Sequence, residues 1–267
     1  MKTLHSGYGY ECVLRDGVAA ADAVYENHCH PFYEIILVMS GEVSVSIENK
    51  SFYVKSGGFV LIAPGEYHSV VAADESEYRR ITLLFEEFVI PRGVKRAFLE
   101  SCKHNPVGYH DDMPGLLLRL ASAMRAEDGA IEGYAELIEA IITETFYFVS
   151  SSGGERVADT GGEGDRLLEL MLAYISSHIT EKITLDDIAN AVLVSKFAVC
   201  HIFKNKMHTT FKQYLLQKKV SYAAHLIQSG MTAGEAAKAV GYDNYAGFYK
   251  VYKKFITKAP SDKKSRI

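Results

Sequence analysis

Ile183-Thr184-Leu185-Asp186-Asp187-Ile188-Ala189-Asn190-Ala191-Val192-Leu193-Val194-Ser195-Lys196-Phe197-Ala198-Val199-Cys200-His201-Ile202-Phe203-Lys204 is the stretch on which the fold turns. Thr184 is a good N-cap, and Asp186 and Asp187 place negative charge in the first turn, where the helix dipole favours it. Leu185, Ile188, Ala189 and Val192 recur at helical spacing and predict one buried face. The pattern breaks at Leu193-Val194. Ser195 then caps a second helix over 196–206 whose inner residues are Val199, Ile202 and Phe203. A short helix, a tight turn and a Ser-capped second helix make a helix-turn-helix.

The same grammar returns about fifty residues later. Thr232 caps 233–240, Gly241-Tyr242 makes the turn, and Asp243 is read as the cap of a helix over 244–255. A long helix over about 211–228 joins the copies, with Phe211, Tyr214, Leu215, Val220, Ala223, Leu226 and Ile227 inward. It stops at Gly230. Ahead of the first copy, 166–179 reads as an amphipathic helix with Leu167, Leu170, Met171, Tyr174 and Ile175 inward. One helix-turn-helix is a weak signal, because many bundles contain such corners. Two copies on one linker helix are a strong one.

Charge agrees. The net charge is −4, but residues 1–165 hold 13 Lys+Arg against 26 Asp+Glu, and 166–267 hold 16 against 7, giving −13 and +9. Such asymmetry marks one half for a polyanion. The hydrophobic content of 48% is that of a globular protein, and no apolar run approaches the length of a membrane span. The start of the chain has no apolar signal region, so a cytoplasmic, non-membrane protein is expected. Cys12, Cys29, Cys102 and Cys200 are scattered without a Cys-x-x-Cys pair, which points to reduced thiols.

Residues 8–88 read as short strands. Ile35–Val38, Val43–Ile47, Phe59–Ile62 and Ile81–Phe85 are β-branched or aromatic runs punctuated by Gly41, Gly57-Gly58 and Pro64-Gly65, which predicts a small antiparallel barrel or sandwich. Helical period returns near Pro114. Leu116, Leu117, Leu120 and Met124 form one stripe; Tyr134, Leu137, Ile138, Ile141, Ile142, Thr145 and Phe148 form another. The second stripe fits either packing on its own barrel or a self-complementary dimer interface. Residues 150–164 are Gly/Ser-rich and read as a flexible linker. The expected class is therefore α+β: a β-barrel over 1–112, a helical pair over 113–149 that suits dimerisation, a linker over 150–165, and an all-α tandem helix-turn-helix over 166–267.

Ile183 to Ala189, Ser195, Phe203-Lys204, Phe211-x-x-Tyr214-Leu215, Ala223, Leu226, Ala237, Val240-Gly241-Tyr242, Phe248, Tyr252 to Phe255 and Pro260 together resemble the AraC/XylS family, through about a hundred residues with the spacing intact. The resemblance implies a transcription regulator that binds double-stranded promoter DNA, meets RNA polymerase, responds to a small molecule such as a sugar, and is a homodimer. It places Lys196, Phe197, Cys200, His201 and Lys204 of the first recognition helix in one major groove. Asn244, Tyr245, Tyr249, Lys250 and Lys253 of the second enter the next. Asn244 suits adenine, Lys196 or Lys250 guanine, and Phe197 or Tyr245 a thymine methyl. Lys204, Lys206, Lys253 and Lys254 suit phosphates. The chain departs from the family pattern where Leu193 and His208 replace usual glycines, where Lys219 replaces a common Arg, in the Ala-rich 233–239 segment, and at Gly247, which is expected to weaken the second recognition helix.

His28-Cys29-His30-Pro31-Phe32-Tyr33-Glu34 is followed six residues on by Gly41, and Gly58 by Pro64-Gly65-Glu66-Tyr67-His68. Alternation puts His28, His30 and Glu34 on one face. The spacing resembles the cupin pattern. In cupin enzymes His28, His30, Glu34 and His68 would hold Zn, Ni, Mn or Fe. Here the same four, with Tyr33, are candidate ligand-binding residues, and a hydrogen-bonded barrel mouth is an equal reading. A cupin metalloenzyme with a helical appendage is the alternative function, but an enzyme has no need of the basic half or of the repeated helix-turn-helix. No catalytic residue is assigned.

Overall fold

The computed structural model describes residues 2–15, 24–72, 78–126, 133–152 and 163–256. Most of the expected linker, and Pro260, lie outside them. The N-terminal strands are β1 (Lys2–Gly7), β2 (Tyr10–Arg15), β3 (Val24–His28), β4 (Tyr33–Ser40), β5 (Glu42–Ile47), β6 (Lys50–Lys55), β7 (Gly58–Ile62), β8 (His68–Ala72), β9 (Arg79–Phe85) and β10 (Val107–Tyr109). They form a six-stranded antiparallel sheet ordered β1-β2-β9-β4-β7-β10 and a four-stranded one ordered β3-β8-β5-β6. The sheets do not close into the expected barrel. Alternation fixes the face a residue takes, not the edge along which its strand pairs.

Period-2 patterning explains how the sheets meet. Ile36 and Val38 of β4, Val43, Val45 and Ile47 of β5, Val60 and Ile62 of β7 and Val70 of β8 fill the space between them. Ile35 and Leu37, one residue out of phase, face the other way. There they meet a helical layer made of α1 (Lys95–His104), α2 (Met113–Ala126) and α3 (Tyr134–Ser151). Leu116, Leu117, Leu120 and Met124 of α2 and Ile138, Ile141 and Ile142 of α3 are buried in this layer. The apolar stripes are therefore covered by the chain's own sheet rather than offered to a second copy. Leu118, 68% exposed, and Leu137 are on the outer side.

The C-terminal helices are α4 (Glu163–Ser177), α5 (Leu185–Ala191), α6 (Lys196–Lys206), α7 (Phe211–Gln228), α8 (Ala233–Ala239) and α9 (Tyr245–Phe255). Both units open with a capping box. The Thr184 hydroxyl accepts from Asp187 N at 3.3 Å while the Asp187 carboxylate accepts from Thr184 N at 2.7 Å; Thr232 and Glu235 repeat this at 3.3 and 2.9 Å. α4 buries Leu168, Met171, Leu172 and Ile175, so its inner face is rotated from the expected one and Leu170 is exposed. Among the described residues no helix is long and apolar enough to cross a membrane.

Leu193 and His208 sit in the left-handed region, at φ 56° and 50°. These are the two positions where family glycines are missing. An L-residue there costs about 1–2 kcal/mol, whereas glycine loses about 0.5–1 kcal/mol of chain entropy. Leu193 is 92% exposed, so its side chain gains almost nothing by burial. Leu193→Gly is expected to stabilise the chain by about 0.5–1 kcal/mol, read as a higher Tm.

Candidate nucleic-acid interface and metal-ligating cluster

The first recognition helix, α6, is fixed from below by Val199 and Phe203, both fully buried in the cluster that also holds Met171, Ile188 and Tyr214. Ser195 caps it, accepting from Ala198 N at 3.1 Å. That leaves Lys196, Phe197, Cys200, His201 and Lys204 on the exposed side. Phe197, an aromatic 79% exposed, has no reason from packing to be there. Lys196 pairs with Asp186 at 2.6 Å, but both are exposed, so the pair is weak and leaves the ammonium open to exchange for another partner. His201 stacks loosely on Phe197, at 6.2 Å between centroids, and meets Asn205 at 3.0 Å.

The second recognition helix rests on Phe248 and Tyr252, buried with Val220, Ala223, Ala236, Ala237 and Val240. The alanines of α8 let its backbone lie close to α7. Tyr245, Tyr249, Lys250 and Lys253 are exposed as expected.

Asn244 requires a correction. It is the N-cap rather than a helical residue, and its side-chain oxygen accepts from Gly247 N at 2.7 Å. Its carbonyl is thus already used, and Gly247 falls in the first turn, not mid-helix. A Cβ on Gly247 would come 3.2 Å from Asn244 Oδ1, so this glycine makes room for the cap. Asn244→Ala is expected to cost about 1 kcal/mol and Asn244→Asp little, measured by thermal unfolding.

Lys219 joins the two units. Its ammonium donates to Glu181 O, beyond the end of α4, at 2.5 Å and to Val240 O, at the C-cap of α8, at 2.7 Å. Burial pushes its pKa down. The sequence marks Lys219 only as a departure; its bridging role depends on contacts 38 and 21 residues away.

In the N-terminal half, His28 at the end of β3, His30 in the following loop and His68 at the start of β8 converge. One ligand atom from each lies within 4.8 Å of the others. His30 Nε2 is 2.9 Å from Glu34 Oε2 and His68 Nε2 is 3.1 Å from the same oxygen. The Nδ1 atoms face backbone carbonyls, Phe32 O at 3.0 Å and Glu66 O at 2.8 Å. His68 is 1% exposed, and its buried Nε2 makes no hydrogen bond of acceptable geometry despite the nearby carboxylate. Burial alone would raise the Glu34 pKa; the His30 hydrogen bond and the adjacent His68 ring instead hold it well below the usual carboxylate range. Burial opposes charge on His68, and the Glu34 carboxylate more than offsets this.

Tyr33 is not brought to this cluster. It precedes Glu34 on β4 and takes the opposite face, stacked on Phe85 at 5.6 Å and edge-on to Phe98 at 6.0 Å.

A seam between the halves has no counterpart in the sequence pattern. Glu48, at the β5–β6 turn with φ 53°, accepts from Tyr214 OH and from Lys218 Nζ of α7, each at 2.7 Å. Lys218 also donates to Gly65 O at 2.7 Å. Asn27 Nδ2 donates to Met207 O, at the C-cap of α6, at 2.9 Å. Tyr67 is buried with the first unit's core and meets the Tyr214 ring edge-on at 5.2 Å.

Comparison with known proteins agrees with both halves. Residues 15–145 match the AraC-like ligand binding domain and residues 188–266 a helix-turn-helix domain. YdeC of Bacillus subtilis, an uncharacterized HTH-type transcriptional regulator, is 23% identical over 249 residues, covering 87% of this chain and 84% of that protein. A response regulatory protein of Staphylococcus epidermidis is 29% identical over 98 residues, which span 37% of this chain and 39% of that relative. Among solved structures, ToxT of Vibrio cholerae aligns over 98% of this chain and 97% of that one at 14% identity, with a TM-score of 0.42.

Proposed function

The chain belongs to the AraC family of transcription regulators, a ligand-binding domain joined to a helix-turn-helix domain, and we propose that it reads promoter DNA with α6 and α9. It is a regulator and not an enzyme. Lys196, Phe197, Cys200, His201 and Lys204 enter one major groove; Tyr245, Tyr249, Lys250 and Lys253 enter the next, with Asn244 at the helix start. The observation that carries this reading is the pair of capped helices whose exposed faces hold lysines and aromatics in place of ordinary mixed surface charge. The effector is received at the end of the sheets where His28, His30, Glu34 and His68 meet. A second copy pairs through the outer faces of α2 and α3, around Leu118 and Leu137, and the DNA-bound dimer presents itself to RNA polymerase.

Selection of bound sequences from a random duplex library tests the proposal. Recovery of one motif with two blocks about one helical turn apart is expected. Recovery of unrelated sequences would refute it.

A further inference from the structure

A cavity of about 260 Å³ lies between the N-terminal half and the end of α7. It is lined by Tyr33, which takes the face of β4 opposite Glu34 and is stacked on the buried Phe85. Phe88, in the single-turn helix Glu87–Val89, forms a second wall. This ring is 50% exposed and lies 5.1 Å from that of Tyr8. Gly9, at φ 84°, gives it room, because a Cβ there would collide with the ring. Close approach to the backbone thus seats an aromatic wall that still meets water.

The charges of the lining are unbalanced. Glu86, 8% exposed, and Glu87 are set against the single ammonium of Lys95. Lys95 Nζ meets Glu87 Oε1 at 2.8 Å, but both side chains are about two-fifths exposed, so the pair is weak. Across the cavity, His225, Gln228 and Ser229 belong to the last turn and C-cap of α7, where the helix dipole places partial negative charge. Burial, and then the Glu87 carboxylate, push the Tyr33 hydroxyl pKa up, so this wall stays neutral. Aromatic rings, surplus carboxylate and a helix C-terminus all favour a cation with a hydrocarbon body. A bare Ca2+ would want roughly six or more oxygens and leave the rings unused. An anion would be repelled by both glutamates. The volume lies just under the ~300–1,000 Å³ of sites for drug-sized molecules, which sets a small occupant.

We propose that this cavity binds a small organic ammonium, its charge against Glu86 and Glu87 and its body against Tyr33 and Phe88, with Lys95 displaced from Glu87. The site is separate from the His28, His30, Glu34 and His68 cluster. It also touches both halves of the chain. The last turn of α7 runs through Ser229 and Gly230 to Thr232, the cap of α8, so the occupant bridges the ligand-binding half and the entry to the second DNA-reading unit.

The test is calorimetric titration of the full chain with three probes of like shape: phenethylammonium, phenethyl alcohol and phenylacetate. The ammonium should bind once per chain, about tenfold or more tighter than the alcohol, and the carboxylate should not bind. Phe88→Ala and Glu87→Gln should each weaken the ammonium by about tenfold. Gln228→Lys sets a competing charge on the α7 side, at a helix end that tolerates it, and should abolish binding. Lys95→Met removes the internal competitor and should strengthen binding several-fold. Thermal unfolding checks that each variant is folded. Equal affinity for ammonium and alcohol, binding of phenylacetate, no heat up to millimolar ammonium, or ammonium binding that survives unchanged in folded Gln228→Lys would each overturn the proposal. No DNA enters these titrations, so their failure leaves the regulator reading standing.

Discussion

Lys219→Met is expected to uncouple the two DNA-reading units. The ammonium satisfies Glu181 O and Val240 O together, one in the turn that follows α4 of the first unit and the other at the C-cap of α8 of the second. A hydrogen bond from a charged donor contributes about 1.5–3 kcal/mol, and an orphaned buried carbonyl adds a desolvation cost. Methionine keeps the stem and removes both bonds, so a stability loss of about 2–3 kcal/mol follows. The effect on DNA should exceed the effect on folding. Two units held rigidly bind as one ligand with a high effective concentration, and loosening them forfeits part of that gain, by about tenfold or more. Affinity for a duplex with only the α6 half-site should barely change. Lys219→Arg supplies a longer fork to the same carbonyls and should preserve binding. Equilibrium unfolding and titration of full and half sites separate these outcomes.

Substitutions on the recognition helices should sort by the group they meet. Lys204→Ala removes one phosphate contact in the proposed complex, so affinity should fall alike on all sequences and the salt slope should shrink by about one unit. Lys250→Ala removes a base contact, costing about 1–3 kcal/mol on the selected site and relaxing preference at one position. The contrast is informative because both lysines are exposed and neither holds a helix in place. Equal behaviour of the two variants would mean that α9 only positions the protein.

Much of this architecture is legible in the residues themselves. Thr184, Ser195 and Thr232 announce their helices because a cap is a local event, complete within four residues. β5 is legible for a similar reason, since Val43, Val45 and Ile47 alternate with serines. Where local signals compete, the reading slips by one. Asp243 and Asn244 are both good caps, and the choice between them moves the start of α9. Proximity in sequence groups Tyr33 with Glu34, although adjacent strand residues take opposite faces.

α1 leaves only a faint signal, because Phe98 and Cys102 alone mark its buried face. The 113–149 stripes are ambiguous for a different reason. An apolar stripe states that something covers it and not what, and here the cover is the chain's own sheet. The Glu48–Lys218 contact spans 170 residues and leaves no trace in the local pattern of either segment.

The central claim is that the basic half is a sequence-specific reader in which α6 and α9 contact successive turns of DNA. The most direct measurement is the binding constant of the full chain for its selected duplex and for a scrambled one, taken across a range of salt. Two parallel, steeply falling lines on logarithmic axes, the selected duplex higher by about a thousandfold or more, are the predicted result. A flat response with the two duplexes superimposed would contradict it.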